Sequence, residues 1–328
     1  VPDTTDTPYV RPDVAAFLNY LNNVPGPKMH ELEPAAARQL YVAMKEVADL
    51  PLGELAVVRD LVIPGPAGDI PARLFDAKES REPGPAVVFY HGGGFVIGNI
   101  DSHASFCAEM ARVLDLPVVS VDYRLAPEHP WPAAPDDCEA AARWVASSPA
   151  ALERSVTSLI LCGDSAGGTL TIVAAMDLRD NPADVPVIVQ APIYPAADTA
   201  KIYPSYEQFA EGFLLTRASM DWFNDAYRAD VTNMRGSPMA GGLAGLPPAV
   251  IITASLDPIR DQGRAYAAAL IAQGITTVFR EAKGNIHGFI TLPKAIPSSV
   301  GDIAGYLVAL KAMVAEAEAQ RVMAQAAG

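Results

Sequence analysis

Leu159-Ile160-Leu161-Cys162-Gly163-Asp164-Ser165-Ala166-Gly167-Gly168-Thr169-Leu170 decides how this chain is organised. The four residues before Gly163 are β-type, and the run after Gly168 has helical character, so the stretch reads as strand, tight turn and helix. Ser165 stands at the apex between Gly163 and Gly167 in the pattern G-x-S-x-G. Small neighbours let the backbone hold a serine in a strained conformation with its hydroxyl pushed outward, which is how a nucleophile elbow is built. A glycine-rich turn between strand and helix also suits phosphate. That alternative calls for a lysine after the last glycine, where this chain has Thr169.

Bulk properties narrow the classes. The 328 residues are 50% hydrophobic and 19% charged, enough for a large α/β core with an elaboration. A formal net charge of −14 with scattered Lys and Arg speaks against nucleic-acid partners. The three cysteines, Cys107, Cys138 and Cys162, are widely spaced among apolar or helical residues and read as buried free thiols, which fits a reducing cytoplasm. Val1-Pro2-Asp3-Thr4-Thr5-Asp6 lacks the features of a secretory leader. No apolar run reaches the roughly 18 residues of a membrane span. The expectation is a soluble cytoplasmic protein.

Outward from the elbow, the chain alternates. Two amphipathic helices are expected between Pro8 and Leu50, split by Val24-Pro25-Gly26-Pro27. A hairpin follows, Leu55 to Ile63 and Asp69 to Phe75, turning at 64–68. Ala86 to Tyr90 is a continuous apolar strand of the buried parallel kind. Next come a helix from Ser102 to Leu114, a strand from Pro117 to Asp122, a proline-rich ordered loop and a helix from Pro135 to Val145. Beyond the elbow helix, Pro186 to Ile193 is a strand. The alternation then stops between about Ala196 and Gly242, where aromatic-rich helical pieces mark an insertion over the sheet. It resumes with the strand Ala249 to Ala254, a helix from Arg260 to Ala272, the strand Thr276 to Glu281 and a last helix from Val300 to Ala327. Strands alternating with helices mean a mostly parallel sheet flanked by helices, an α/β fold.

A serine hydroxyl needs a base, and the base needs an orienting carboxylate. Of five histidines, His287 lies in the loop 284–289 after the last strand, where carboxyl-end loops converge with the elbow. Asp257 ends the preceding strand, with Asp261 as its competitor, which could instead serve the helix N-terminus. The chain order Ser165, Asp257, His287 is that of α/β-hydrolases. His91-Gly92-Gly93-Gly94-Phe95 hangs directly on a buried strand. Its successive glycines leave N–H groups uncovered for a developing oxyanion. His91 is read as an anchor of that loop. No pair of histidines stands at metal-ligand spacing, and neither a metal nor an organic cofactor is expected.

His91-Gly92-Gly93-Gly94, Tyr123-Arg124-Leu125-Ala126-Pro127-Glu128, Gly163-Asp164-Ser165-Ala166-Gly167, Asp257-Pro258 and His287-Gly288-Phe289 together resemble the hormone-sensitive-lipase family of bacterial esterases, in its GDSAG branch, from about residue 55 onward. The resemblance implies an α/β-hydrolase fold with a helical cap. It implies Ser165 as nucleophile, His287 as base, Asp257 as its orienter, and the N–H groups of Gly93, Gly94 and Ala166 as oxyanion hole, with His91, Gly92, Gly163, Asp164 and Gly167 as supporting motif residues. Residues 1–50 and 196–242 would form the cap, and 51–195 with 243–328 the catalytic domain. Phe95, Tyr194, Phe213, Leu214 and Ile286 are the expected substrate pocket. The expected activity is hydrolysis of short- to medium-chain esters, small molecules, without cofactor. An amidase or lactonase would share the triad, and a silent receptor on the same fold would lack the histidine that stands here at His287. The family also implies a homodimer through the sheet edge, at Thr276 to Glu281.

Overall fold

Ala86 to Tyr90 is buried to the last residue, and its side chains divide between two cores as strand alternation dictates. Ala86, Val88 and Tyr90 face one helical layer, and Val87 and Phe89 face the other. This computed structural model describes residues 7–327; the opening residues 1–6, read above for a leader, lie outside them.

In chain order the elements are α1 (Pro12–Asn23), α2 (Pro34–Ala48), β1 (Val57–Gly65), β2 (Gly68–Asp76), β3 (Gly84–Tyr90), α3 (Ile100–Leu114), β4 (Val118–Val121), α4 (Ala133–Ala146), β5 (Val156–Asp164), α5 (Ala166–Asp180), β6 (Val187–Ile193), α6 (Pro204–Gln208), α7 (Arg217–Tyr227), β7 (Ala249–Leu256), α8 (Arg260–Ala272), β8 (Thr277–Ile286) and α9 (Ser299–Ala327). The sheet has eight strands in the order β1-β2-β4-β3-β5-β6-β7-β8. β1 and β2 pair antiparallel, as do β2 and β4, and every later neighbour is parallel. α4, α5 and α8 supply one apolar layer and α3 and α9 the other. The three cysteines are buried and free.

After β3 the chain steps outward to β4, and it returns to the other side of β3 as β5. The order reverses there, so the loops leaving β3 and β5 at their carboxyl ends part and leave a crevice between them. The first loop is His91 to Asn99 and the second is the turn at Ser165, so the topology alone brings both glycine-rich segments to one place.

Two local readings change. The hairpin ladder runs on to Gly65 opposite Gly68, leaving Pro66-Ala67 as the turn instead of five residues. β8 continues to Ile286, beyond the expected end at Glu281, and the loop after it starts only at His287. Gly284 there has φ +74°, and its N–H donates to Ser255 Oγ at 2.7 Å, an irregularity that interrupts the strand periodicity without ending the strand.

No strand occurs between 196 and 242, where α6 and α7 lie. α1 is tied down by Arg11, whose N–H donates to Gly284 O at 3.2 Å and whose guanidinium grips Asp302 at 2.6 and 3.0 Å. Arg38 ties α2 to the crevice, donating to Val96 O and Ala126 O, each at 2.8 Å, and pairing with Glu128 at 2.6 Å. No helix among the described residues is long and apolar enough to cross a membrane.

Candidate active site

Ser165 lies between β5 and α5 with φ +53° and ψ −118°, a conformation rarely adopted by residues other than glycine. Its N–H donates to Ile193 O at 2.9 Å, which fixes the turn against the next strand. The flanking glycines are there for space. A Cβ on Gly167 would run into the Tyr90 carbonyl, and one on Gly163 into the carbonyls of Gly167 and Tyr90. The strained apex therefore rests on three backbone segments packed too closely for side chains.

His287 follows β8 directly, and its Nε2 is 2.8 Å from Ser165 Oγ. Its Nδ1 is 2.7 Å from Asp257 Oδ2. Asp257 comes straight off β7 and is fully buried, and its Oδ1 accepts the Ile259 N–H at 2.9 Å. A carboxylate only accepts, so Nδ1 carries the ring proton and Nε2 presents a lone pair to the serine hydroxyl. Asp261 lies elsewhere: it accepts the Ser205 N–H at 3.0 Å and pairs with Arg260 and Arg264 at 2.8 and 3.1 Å, tying α6 to α8.

Gly93 and Gly94 have φ +124° and +59°, and a Cβ on Gly94 would fall inside the Phe223 ring of α7. Neither N–H has an acceptor among the described residues. The Ala166 N–H opens α5 beside Ser165, at the positive end of the helix. His91 is buried and stacked on Tyr123 at 4.4 Å between ring centroids, with Nδ1 2.8 Å from Gly92 O. Asp164 accepts the Gly92 N–H at 2.7 Å and the Tyr194 hydroxyl at 3.2 Å, and His103 Nε2 lies 3.1 Å away. Burial pushes the Asp164 carboxyl up, but the His103 charge, the Gly92 N–H and the His287 charge hold it below the usual carboxylate range.

A cavity of about 1000 Å³ opens over Ser165, Gly93, Gly94 and Ala166. Phe95 and Leu214 line it, with Phe17 and Leu21 from α1, Tyr41 and Met44 from α2, and Phe223 from α7. Tyr194, Phe213 and Ile286 do not line it, a correction to the expected pocket. Tyr194 turns its ring onto His287 at 4.5 Å and its hydroxyl onto Asp164, behind the serine. Phe213 packs edge-on against Phe209 at 5.2 Å, and Ile286 points inward from β8. The contribution of α1 and α2, and of the buried His103, went unread because amphipathic spacing marks a packed face without saying which cavity it borders. No group of three or more His, Cys, Asp or Glu side chains that could hold a metal occurs among the described residues.

A family model described as the alpha/beta hydrolase fold matches residues 87–291. The carboxylic ester hydrolase LipN of Mycobacterium tuberculosis is 41% identical over 72% of this chain, a match that spans 65% of that relative's length. The carboxylesterase NlhH of the same organism is 35% identical over 86% of this chain and 88% of its own. Among solved structures, an alpha/beta hydrolase enzyme from the metagenome of Lake Arreo superposes with a TM-score of 0.87 at 36% identity, covering 94% of this chain and 98% of the other.

Proposed function

The chain belongs to the α/β-hydrolase fold family, among the carboxylic ester hydrolases of the hormone-sensitive-lipase type, and from that premise we propose that it hydrolyses short- to medium-chain carboxylic esters through a covalent acyl-enzyme on Ser165. The observation that carries the proposal is the unbroken relay from Ser165 Oγ through His287 to Asp257, with contacts of 2.8 and 2.7 Å.

Ser165 Oγ attacks the ester carbonyl while His287 Nε2 takes its proton, and Asp257 stabilises the resulting imidazolium. The N–H groups of Gly93, Gly94 and Ala166 receive the negative oxygen of the tetrahedral intermediate, and the lack of any acceptor for the Gly93 and Gly94 N–H groups among the described residues supports that role. His287 then protonates the departing alcohol. Water enters, His287 deprotonates it, and its attack on the acyl carbonyl releases the acid and restores Ser165.

Of the expected cap, 1–50 and 196–242, and the expected catalytic domain, 51–195 and 243–328, the described parts 7–50 and 196–242 serve as a cap over 51–195 and 243–327. The cavity walls from α1, α2 and α7 support this division. The apolar lining supports a substrate with a hydrophobic acyl or alcohol part. A homodimer through the free edge of β8 belongs to the same proposal, and light scattering showing only monomer removes it.

The test is hydrolysis of p-nitrophenyl esters from acetyl to palmitoyl, wild type beside Ser165→Ala. Activity peaking on short chains and lost in the variant is the expected result. Equal turnover in Ser165→Ala removes the nucleophile assignment, and better turnover on palmitoyl removes the chain-length assignment.

A further inference from the structure

Among the buried titratable side chains that the mechanism does not use, one touches the elbow. His103 sits in the first turn of α3, completely buried, with Nε2 3.1 Å from Asp164 Oδ1. Its protonation follows from counting hydrogens. Ser102 Oγ lies 2.7 Å from the Asn99 carbonyl oxygen, an atom that can only accept, so the hydroxyl proton is directed there. Of its lone pairs, one takes the Asn99 N–H at 2.9 Å, and the other faces His103 Nδ1 at 2.9 Å. Nδ1 must therefore supply a proton.

At the other end of the ring, Asp164 accepts two hydrogen bonds, from the Gly92 N–H at 2.7 Å and the Tyr194 hydroxyl at 3.2 Å, and its Oδ1 lies 3.1 Å from the ring's Nε2, where a lone pair would face the carboxylate. A buried carboxylate so surrounded is ionised, and its depressed titration, with burial outweighed first by the His103 charge, agrees. Nε2 thus carries a proton too. Its N–H is off the line of a good hydrogen bond, which makes the attraction mainly one between full charges. Around the ring stand Asp49 at the end of α2, whose carboxyl feels the His103 charge, and the rings of His91, Phe89 and Tyr41 at 5.8, 6.0 and 6.4 Å between centroids.

We propose that His103 is a buried imidazolium whose charge keeps Asp164 ionised, and that this ion pair positions the Gly92-Gly93-Gly94 segment through the Gly92 N–H. His103 touches no reacting atom and is a positioning residue. Its kinetic consequence rests on the esterase proposal above; the ion pair itself does not. Without the cation, a buried Asp164 takes up a proton or moves, and the N–H groups of Gly93 and Gly94 move with Gly92.

Nuclear magnetic resonance of wild-type protein labelled with ¹⁵N-histidine at neutral pH tests the pair directly. The expected His103 signature is a bonded proton on each ring nitrogen, and a single-proton tautomer overturns the proposal. In His103→Gln, kcat on p-nitrophenyl acetate is expected to fall on the order of ten- to a hundred-fold with KM changed far less, the cost of a misplaced oxyanion site. The double variant with Asp164→Asn should be no slower than Asp164→Asn alone. Unchanged kcat in folded His103→Gln also overturns the proposal. If His103→Gln does not fold, or wild type cleaves no ester, the resonance signature alone decides the ion pair.

Discussion

Asp257→Asn should disable the site while leaving the fold intact, and the hydrogen bonds around the side chain say why. Asp257 Oδ1 accepts the Ile259 N–H at 2.9 Å, so the amide oxygen of an asparagine must stay on that side. Its NH₂ group then occupies the place of Oδ2, 2.7 Å from His287 Nδ1. Two donors cannot face each other at that distance, so Nδ1 gives up its proton and accepts. The ring proton moves to Nε2, which lies 2.8 Å from Ser165 Oγ and can no longer take the hydroxyl proton. A base trapped in the wrong tautomer typically costs about 10⁴-fold in kcat, or about 5 kcal/mol of barrier. The assay is steady-state hydrolysis of p-nitrophenyl acetate, with thermal melting to show that the near-isosteric variant stays folded. Asp261→Asn is the control and should keep its turnover, because Asp261 bonds Ser205, Arg260 and Arg264. A folded Asp257→Asn retaining a tenth or more of wild-type kcat would refute the tautomer assignment.

Three further outcomes are expected. Gly92→Ala places a Cβ against the Asp164 carboxylate, with Cγ at 2.9 Å, and because that carboxylate is held from three sides the melting temperature should drop with a loss of about 1–3 kcal/mol. A melt indistinguishable from wild type would show that Asp164 yields freely. Burial pushes the Asp49 carboxyl from its ordinary value of 3.8 up to about 6, outweighing the Leu50 N–H and the nearby cations. The folded chain therefore holds the extra proton between these values, and stability is lost as pH rises through about 6. Asp49→Asn should accordingly gain on the order of 1–3 kcal/mol over wild type in urea unfolding at pH 8, shrinking toward zero near pH 4; a pH-independent difference contradicts this. Hydrogen bonding to Arg38 draws the Glu128 carboxyl down to about 2 despite partial burial. In Arg38→Ala it should titrate near its ordinary value, and amide exchange across α2 should speed up; an unmoved Glu128 titration excludes Arg38 as the cause.

The chain order Ser165, Asp257, His287 was legible because Ser165 and Asp257 close β-type runs stopped by glycine or proline, and His287 is the histidine in the loop that follows the last such run. Asp257 was separable from Asp261 by its place at the strand end, although only the bonds of Asp261 to α6 and α8 show where its carboxylate is spent. The extent of β8 was not legible, since the irregularity at Gly284 breaks the alternation that marks a strand. The pocket was misread at Tyr194, Phe213 and Ile286 for a related reason: an apolar residue beside a motif can turn toward a core or toward a cavity, and the sequence is the same in both cases.

By itself the sequence determined the parallel sheet, the turn at Ser165 and the glycine loop at Gly92 to Gly94, because these depend on local sterics and on a period set by the backbone. Tertiary structure alone decided that His103, from the start of α3, meets Asp164 at the end of β5, that Arg38 clamps α2 to the loops after β3 and β4, and that Phe223 covers Gly94. Those contacts join residues remote along the chain, and their distances follow from how whole helices pack on the sheet, which no local pattern encodes.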